Sequence, residues 1–348
     1  MATIKDIANL TGFSITTVSR ALNGYDDVNE KTRNTITNAA KKLNYSPNIL
    51  AQNLVKKKSK TIGIMVNDLK RESSKDNLMF EMLCGANDAL NLLDYEFILL
   101  STTTAKQKNK SFQQICAERQ LAGVIIQGLK TEDPYLEEVK NSEIPCVLID
   151  IPISDKKIKY VTSNQIDSIK GAIKYLHRLG HNNIAYVNGS KNAHVSTIRH
   201  LGYTEALTEL NIQTNPKYII NGEFNENKTK KAITSFLIDH PEVTAIFCAS
   251  DVMALGVISA AKELGLNIPE QLSIIGFDNI LLSSYITPSL TTISQSPYKM
   301  AKKAVTLLTD LIEDNKITDP FKTTKNELII RDSTTFAPSS PSTSSKKY

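Results

Sequence analysis

Arg20 follows Thr16 and Thr17 on one turn of a short helical pattern, and these three side chains could read the edge of a base pair. Arginine can pair with both acceptors of guanine, and a threonine methyl can touch the methyl of thymine. Farther along, Asp150, Ser250, Asp251 and Asp278 stand directly after apolar runs. Arg199 begins a helical stretch, and Phe224 follows another apolar run. Two carboxylates and an arginine, walled by Phe80 and Phe224, would suit a polyhydroxylated ligand, because charged groups bond hydroxyls in pairs and rings cover the apolar face. For Asp251 a helix cap explains the residue equally well. Nothing points to catalysis: there is no glycine-rich phosphate loop and no nucleophile elbow. His177 and His181 are four apart, but Gly180 lies between them and no glutamate precedes the second, so they read as helix-end histidines and not as a metal pair. No cofactor is expected.

The elements that must position Arg20 are legible around it. Thr3 can cap a first helix with Asp6 three residues on, and Ile4, Ile7 and Ala8 form its apolar face. Gly12 permits a sharp turn and Ser14 caps a second helix, in which Val18, Ala21 and Leu22 face inward while Thr16, Thr17 and Arg20 face out. This is a helix-turn-helix. Asn29 caps a third helix running to about Asn44, and Tyr45-Ser-Pro-Asn48 breaks the pattern. A two-turn helix, Ile49 to Val55, precedes the basic tether Lys56 to Lys60. It is too short to be stable alone, and Leu54 on one face could enter the minor groove as a wedge when the helix folds on DNA.

Charge agrees with this division. Residues 1–60 hold ten Lys/Arg and four Asp/Glu; against chain totals of 41 and 36, the remainder has 31 and 32, so the whole basic excess lies in the head. A polyanion partner for that segment alone is the economical reading. The start lacks an apolar leader and no apolar run reaches membrane-spanning length, so a cytoplasmic protein is expected, without a membrane partner. Cys84, Cys116, Cys146 and Cys248 are widely spaced in apolar surroundings and read as reduced core thiols.

From Thr61 the pattern alternates between strand and helix. Strand candidates are Thr61–Val66, Glu96–Ser101, Gly123–Gln127, Pro145–Ile149, Ile184–Asn188, Lys217–Ile220, Ala245–Ala249 and Leu272–Gly276. Helical stretches between them imply crossover connections and two parallel sheets in tandem, roughly 100 residues each, with ligands binding in the cleft where the strand ends face each other.

The ordered motifs Thr3-Ile-Lys-Asp-Ile-Ala8, Thr17-Val-Ser-Arg20, Leu22-Asn-Gly24, Asn44-Tyr-Ser-Pro47, Gly180-His-Asn-Asn-Ile184, Ser250-Asp-Val-Met-Ala-Leu-Gly256, Ile275-Gly-Phe-Asp278 and Pro288-Ser-Leu-Thr-Thr292 resemble the lactose/galactose/purine repressor family from Ala2 to about Arg331. The resemblance implies an all-α helix-turn-helix head at 1–47 and a hinge helix and linker at 48–60. A periplasmic-binding-protein-like α/β body of two parallel-sheet subdomains would occupy 61–336, followed by a disordered tail at 337–348. It implies a transcription regulator of repressor type, a homodimer on a near-palindromic double-stranded DNA operator, switched by a small molecule, usually a sugar. By the same resemblance Ile15, Thr16 and Arg20 fall on base-reading positions and Ser14, Thr17, Asn29, Thr32 and Tyr45 on phosphate positions. Ala51 and Leu54 fall on the hinge helix's DNA face. Met79, Phe80, Arg199, Phe224 and Asp278 fall on effector positions, with Asp150 and Ser250 matching positions used by some members.

Departures narrow this. Asn77-Leu-Met-Phe80 stands where members usually read Asn-Pro-Phe-Phe, and Gln52 replaces a common hinge arginine. Ala193 and Val195 are apolar where purine-binding members are polar, which favours a sugar. The tail from Ala337 has no leucine heptads, which favours a dimer over a tetramer. Control by a protein partner or phosphorylated corepressor stays open as the alternative. A pure solute-binding protein fits the body but not the basic head.

Overall fold

The computed structural model describes residues 2–45, 59–69, 75–319 and 321–338. The expected hinge helix, with Ala51 and Leu54, and most of the tail lie outside the described residues. The chain divides at Ser59 into two compact units.

The first unit is three helices, α1 (Ile4–Thr11), α2 (Ile15–Leu22) and α3 (Glu30–Lys42). Their starts are set by side chains that satisfy the free amides of the first turn. The Asp6 amide donates to the Thr3 hydroxyl at 3.3 Å while the Thr3 amide donates to the Asp6 carboxylate at 2.8 Å. Ser14 and Asn29 accept from the amides of Thr17 and Thr32 at 3.0 and 2.8 Å. Gly12 closes α1 at φ 73°, a conformation that costs a residue with a Cβ, so the chain turns sharply into α2. Ile7, Val18 and Ile36, one from each helix, are fully buried against Ala8, Ala21, Ala39 and Ala40. Each contributes about 1.5–3 kcal/mol by leaving water.

The second unit holds two six-stranded sheets. Its elements in chain order are β1 (Thr61–Asn67), α4 (Leu78–Asn91), β2 (Glu96–Thr102), α5 (Thr104–Asn109), α6 (Phe112–Glu118), β3 (Gly123–Gln127), α7 (Pro134–Lys140), β4 (Cys146–Ile149) and β5 (Ile158–Ser163). They continue through α8 (Gln165–Arg178), β6 (Ile184–Asn188), α9 (His194–Glu209), β7 (Ile219–Asn221), α10 (Glu226–Asp239), β8 (Ala245–Cys248) and α11 (Asp251–Glu263). The last are β9 (Ser273–Asp278), α12 (Leu281–Tyr285), β10 (Thr291–Ser294), α13 (Pro297–Ile312), β11 (Phe321–Thr324) and β12 (Glu327–Ile329). The first sheet runs β11-β5-β4-β3-β1-β2, the second β12-β10-β9-β8-β6-β7. Every pair is parallel except β10 with β12. Continuous apolar runs such as Ile62–Val66 and Ser273–Phe277 are buried on both faces because helices cover both sides.

The two sheets are not strictly in tandem. The chain crosses between subdomains three times, after β5, after β10 and after β11, so that α13 and β11 return to the first subdomain and β12 to the second. β7 also starts at Ile219, two residues after its expected start, since Pro216–Tyr218 form a single 3-10 turn.

Cys116, Cys146 and Cys248 are buried and Cys84 half-buried, all free, and burial pushes the Cys116 thiol up to about 12. Among the described residues no helix is long and apolar enough to cross a membrane. None of their His, Cys, Asp and Glu side chains cluster to hold a metal ion.

Candidate functional site

In the head, the caps and core turn one face of α2 to solvent. Ile15 is 53% exposed and Thr16 and Arg20, one helical turn apart, are also exposed. Thr17 is half-buried, its hydroxyl 2.8 Å from that of Ser14. Ser14 and Asn29 occupy helix N-termini, where free amides and the helix dipole favour an anion such as phosphate. Thr32 follows in the first turn of α3, and Tyr45 packs half-buried against the head's core. Arg20 faces out of the helix as its position in the pattern requires. There it is paired with Asp27, Nη2 to Oδ2 at 2.6 Å and Nε to Oδ1 at 3.1 Å.

In the body, a cavity of about 210 Å³ opens where the carboxyl ends of the two sheets face each other. Its volume is about that of seven waters, the scale of one ring-sized ligand. The loop after β3 supplies Gln127 to Leu129 and that after β4 supplies Asp150. The second subdomain contributes Val195, Arg199, Phe224, Ser250, Asp278 and Gln295. Asp150, Phe224 and Asp278 all have positive φ, at 57°, 54° and 117°. Such backbone costs on the order of 1–3 kcal/mol per residue and persists where the surroundings force it, a common property of ligand clamps. Gly189 belongs to the same construction. A Cβ there would sit 2.0 Å from the Phe224 ring, so only glycine lets the ring lie against this turn.

One polar network crosses the cavity floor. Arg199, 4% exposed, donates from Nε to Gln165 Oε1 at 2.9 Å and from Nη1 to the carbonyl of Ala249, lies 3.7 Å from Asp278, and has its guanidinium 3.8 Å from the centre of the Phe277 ring. Gln165 in turn donates to Asp150 Oδ1 at 3.0 Å, where Thr162 also donates at 2.8 Å. Gln165 thereby links a carboxylate of one subdomain to the arginine of the other. Gln295 donates to Asp278 at 2.6 Å. Desolvation pushes the carboxyls of Asp76, Asp150 and Asp278 above the usual range, with Arg199 partly opposing the shift at the last two.

Asp150, Arg199, Phe224, Ser250 and Asp278 therefore share one cavity. Met79 and Phe80 do not line it: Phe80 is 66% exposed and Met79 packs on the first subdomain's core. The reason is helical rotation. α4 begins at Leu78, which does line the cavity, and two residues at 100° each carry Phe80 to the opposite side. Arg199 lies in the second turn of α9 and does not begin it. Asp251 is fully buried beneath the cavity, accepting from the Thr292 hydroxyl at 2.6 Å and the Ile280 amide at 2.9 Å, while Ser250 caps α11. Sequence reasoning missed Asp76, Gln127, Gln165 and Gln295. Their one legible signal was a position near a strand or helix end. His181 is buried, with Nδ1 2.9 Å from the Thr244 hydroxyl and Nε2 3.0 Å from the carbonyl of Thr335, and burial holds its ring neutral.

Comparison with known proteins decides the assignment. Residues 3–48 match the family of bacterial regulatory proteins of the lacI type, and residues 173–334 match a periplasmic binding protein-like domain. The transcriptional repressor CytR of Escherichia coli K12 is 34% identical, covering 97% of both chains. The chain belongs to the LacI family. The regulator RegA of Clostridium saccharobutylicum is 32% identical over 96% of this chain and all of its own. Among solved structures, a lac repressor dimer bound to operator and the anti-inducer ONPF superposes with a TM-score of 0.82 at 25% identity, covering 96% and 99% of the two chains. This LacI-family protein is a DNA-binding transcriptional repressor with an effector-binding domain, and its relatives are regulators, not enzymes.

Proposed function

We propose that this LacI-family repressor binds a near-palindromic operator as a homodimer through α2 and is switched by an uncharged, hydroxyl-rich small molecule, a monosaccharide-sized sugar, in the body's cavity. The observation that carries the ligand class is the imbalance of the lining. Asp76, Asp150 and Asp278 face the cavity with Arg199, whose guanidinium already serves Gln165, Ala249 and Asp278. Gln127 Oε1 is a buried acceptor with no partner among the described residues. Three carboxyl groups and the unpaired Gln127 oxygen, set against one arginine that is already engaged, favour a ligand rich in hydroxyl donors, with Ser250 and His194 left to meet its acceptors, because each buried polar group left unpaired costs about 1–3 kcal/mol. The lining disfavours a phosphorylated ligand, because Arg199, its one arginine or lysine among the described residues, is already engaged and no second cation of those residues faces the cavity to balance a phosphate. Phe224 supplies an apolar wall for the face of a ring. The basic excess of residues 1–60 and the exposed face of α2 support operator binding, with affinity that falls steeply as salt rises.

The test is a thermal-shift screen of the full chain against neutral sugars, sugar phosphates and nucleobases, since a ligand of the folded body raises its melting temperature with concentration. A response confined to neutral sugars, weakened at least tenfold in Asp278→Ala, is the expected result. A response to nucleobases or sugar phosphates would refute the ligand class, and silence from all three would return control to a protein partner.

A further inference from the structure

The head contains a carboxylate that the base-reading assignment leaves unexplained. Asp27 lies in the loop between α2 and α3 and is paired side-on with Arg20, through Nε at 3.1 Å and Nη2 at 2.6 Å. A side-on pair uses one edge of the guanidinium. The other edge, with both Nη1 hydrogens and one on Nη2, remains a two-pronged donor of the shape that meets guanine O6 and N7. The Tyr25 ring centre lies 4.6 Å from the same guanidinium and restrains it from a third direction. The loop is itself anchored: Arg33 Nη2 donates to the carbonyls of Tyr25 at 2.7 Å and Val28 at 3.3 Å, and the Tyr25 amide donates to the carbonyl of Arg20 at 3.1 Å.

Asp27 is a poor choice for a surface meant only to hold DNA. With Asp26 and Glu30 it adds negative charge close to the phosphate-suited Ser14, Asn29 and Thr32, and an exposed ion pair by itself adds little stability. Its geometry has value only if it fixes where Arg20 points. An unrestrained arginine has many rotamers and can meet phosphates as readily as bases, whereas a buttressed one carries its donor edge in a single orientation. We propose that Asp27 is a positioning residue for base reading, holding Arg20 in its guanine-facing orientation and denying it to phosphate. This rests on Arg20 reading a base, and the experiment separates the two ideas.

Duplexes are selected from a random pool by the full-length protein, by Arg20→Ala and by Asp27→Ala, and base preference is scored position by position. Affinity for a random duplex is measured in parallel. Arg20→Ala should flatten one position in each half-site, and Asp27→Ala should flatten that same position by about tenfold or more while leaving the others intact. Asp27→Ala should also bind random duplex more tightly than the parent, because a negative charge has left the surface. A purely structural role would weaken both kinds of binding together. If Arg20→Ala flattens no position, base reading by Arg20 is wrong and the proposal falls with it. If Arg20→Ala flattens a position that Asp27→Ala leaves sharp, the buttress alone is refuted. Uniform loss of preference at all positions in Asp27→Ala would also overturn it, by showing that the loop supports the head as a whole.

Discussion

Replacing Arg199 by methionine tests how the cavity floor is held together. The side chain is almost fully buried, and its removal strands the Gln165 carbonyl oxygen and the Ala249 carbonyl, each worth about 1–3 kcal/mol when left unsatisfied. It also takes the neighbouring cation from Asp278, which is 5% exposed. Losing one member of a buried pair costs about 3–5 kcal/mol when the pair is tight. At 3.7 Å this pair is looser than a hydrogen bond, and methionine refills part of the volume, so a total of about 3–5 kcal/mol is expected. For a body of this size that is a fall in Tm on the order of 10 °C. The loss should depend on pH. Burial already lifts the Asp278 carboxyl well above its usual range, and Arg199 opposes that lift. Without Arg199 the native carboxyl holds its proton to still higher pH than the unfolded chain does. Stability is then lost as pH rises between the unfolded and folded pKa values, so the deficit should be larger at pH 8 than at pH 5. Thermal unfolding of parent and variant at both values is the assay. The double variant Arg199→Met/Asp278→Asn should recover part of the loss, as contacting residues do not add independently. A deficit under about 2 °C, far below what these magnitudes require, would show that Arg199 is not clamped in the described network.

Asp251 should leave a signature of its own in the pH dependence of folding. Burial raises its carboxyl from 3.8 to about 7, so between those values the native state keeps a proton that the unfolded chain releases and stability falls as pH rises; denaturant unfolding of Asp251→Asn at pH 5 and pH 7.5 should show a shallower fall than the parent, and an equal one would contradict the buried position. Gly189→Ala should push the Phe224 ring from the cavity wall and weaken sugar binding at least severalfold while the operator is still bound, as read by the shift in Tm with ligand; unchanged ligand affinity would mean the ring is not part of the site.

Much of this protein was legible in one dimension. Thr3, Ser14 and Asn29 announce helix starts through hydrogen bonds made within three residues, and Ile7, Val18 and Ile36 mark a helical core by spacing alone. The strands buried on both faces, such as β1, β3 and β9, appear as unbroken apolar runs bounded by turns. Residue types at strand ends pointed to Asp150, Ser250, Phe224 and Asp278, because a parallel sheet directs its loops to one side. The tertiary structure decided what local signals do not encode. β5, β10, β11 and β12 are short and partly polar, and they exist because distant partners complete their ladders, as when Phe321–Thr324 pairs with Tyr160–Ser163. The third crossing follows from that pairing together with the pairing of β12 to β10, and from no local pattern. Phe80 was misplaced because composition cannot tell where a helix begins, and a two-residue offset turns a side chain away from the cavity. Asp27, Gln165 and Gln295 looked like ordinary polar residues. Only the fold brings them to Arg20, Arg199 and Asp278, and a hydrogen bond depends on distance and angle that sequence spacing does not carry.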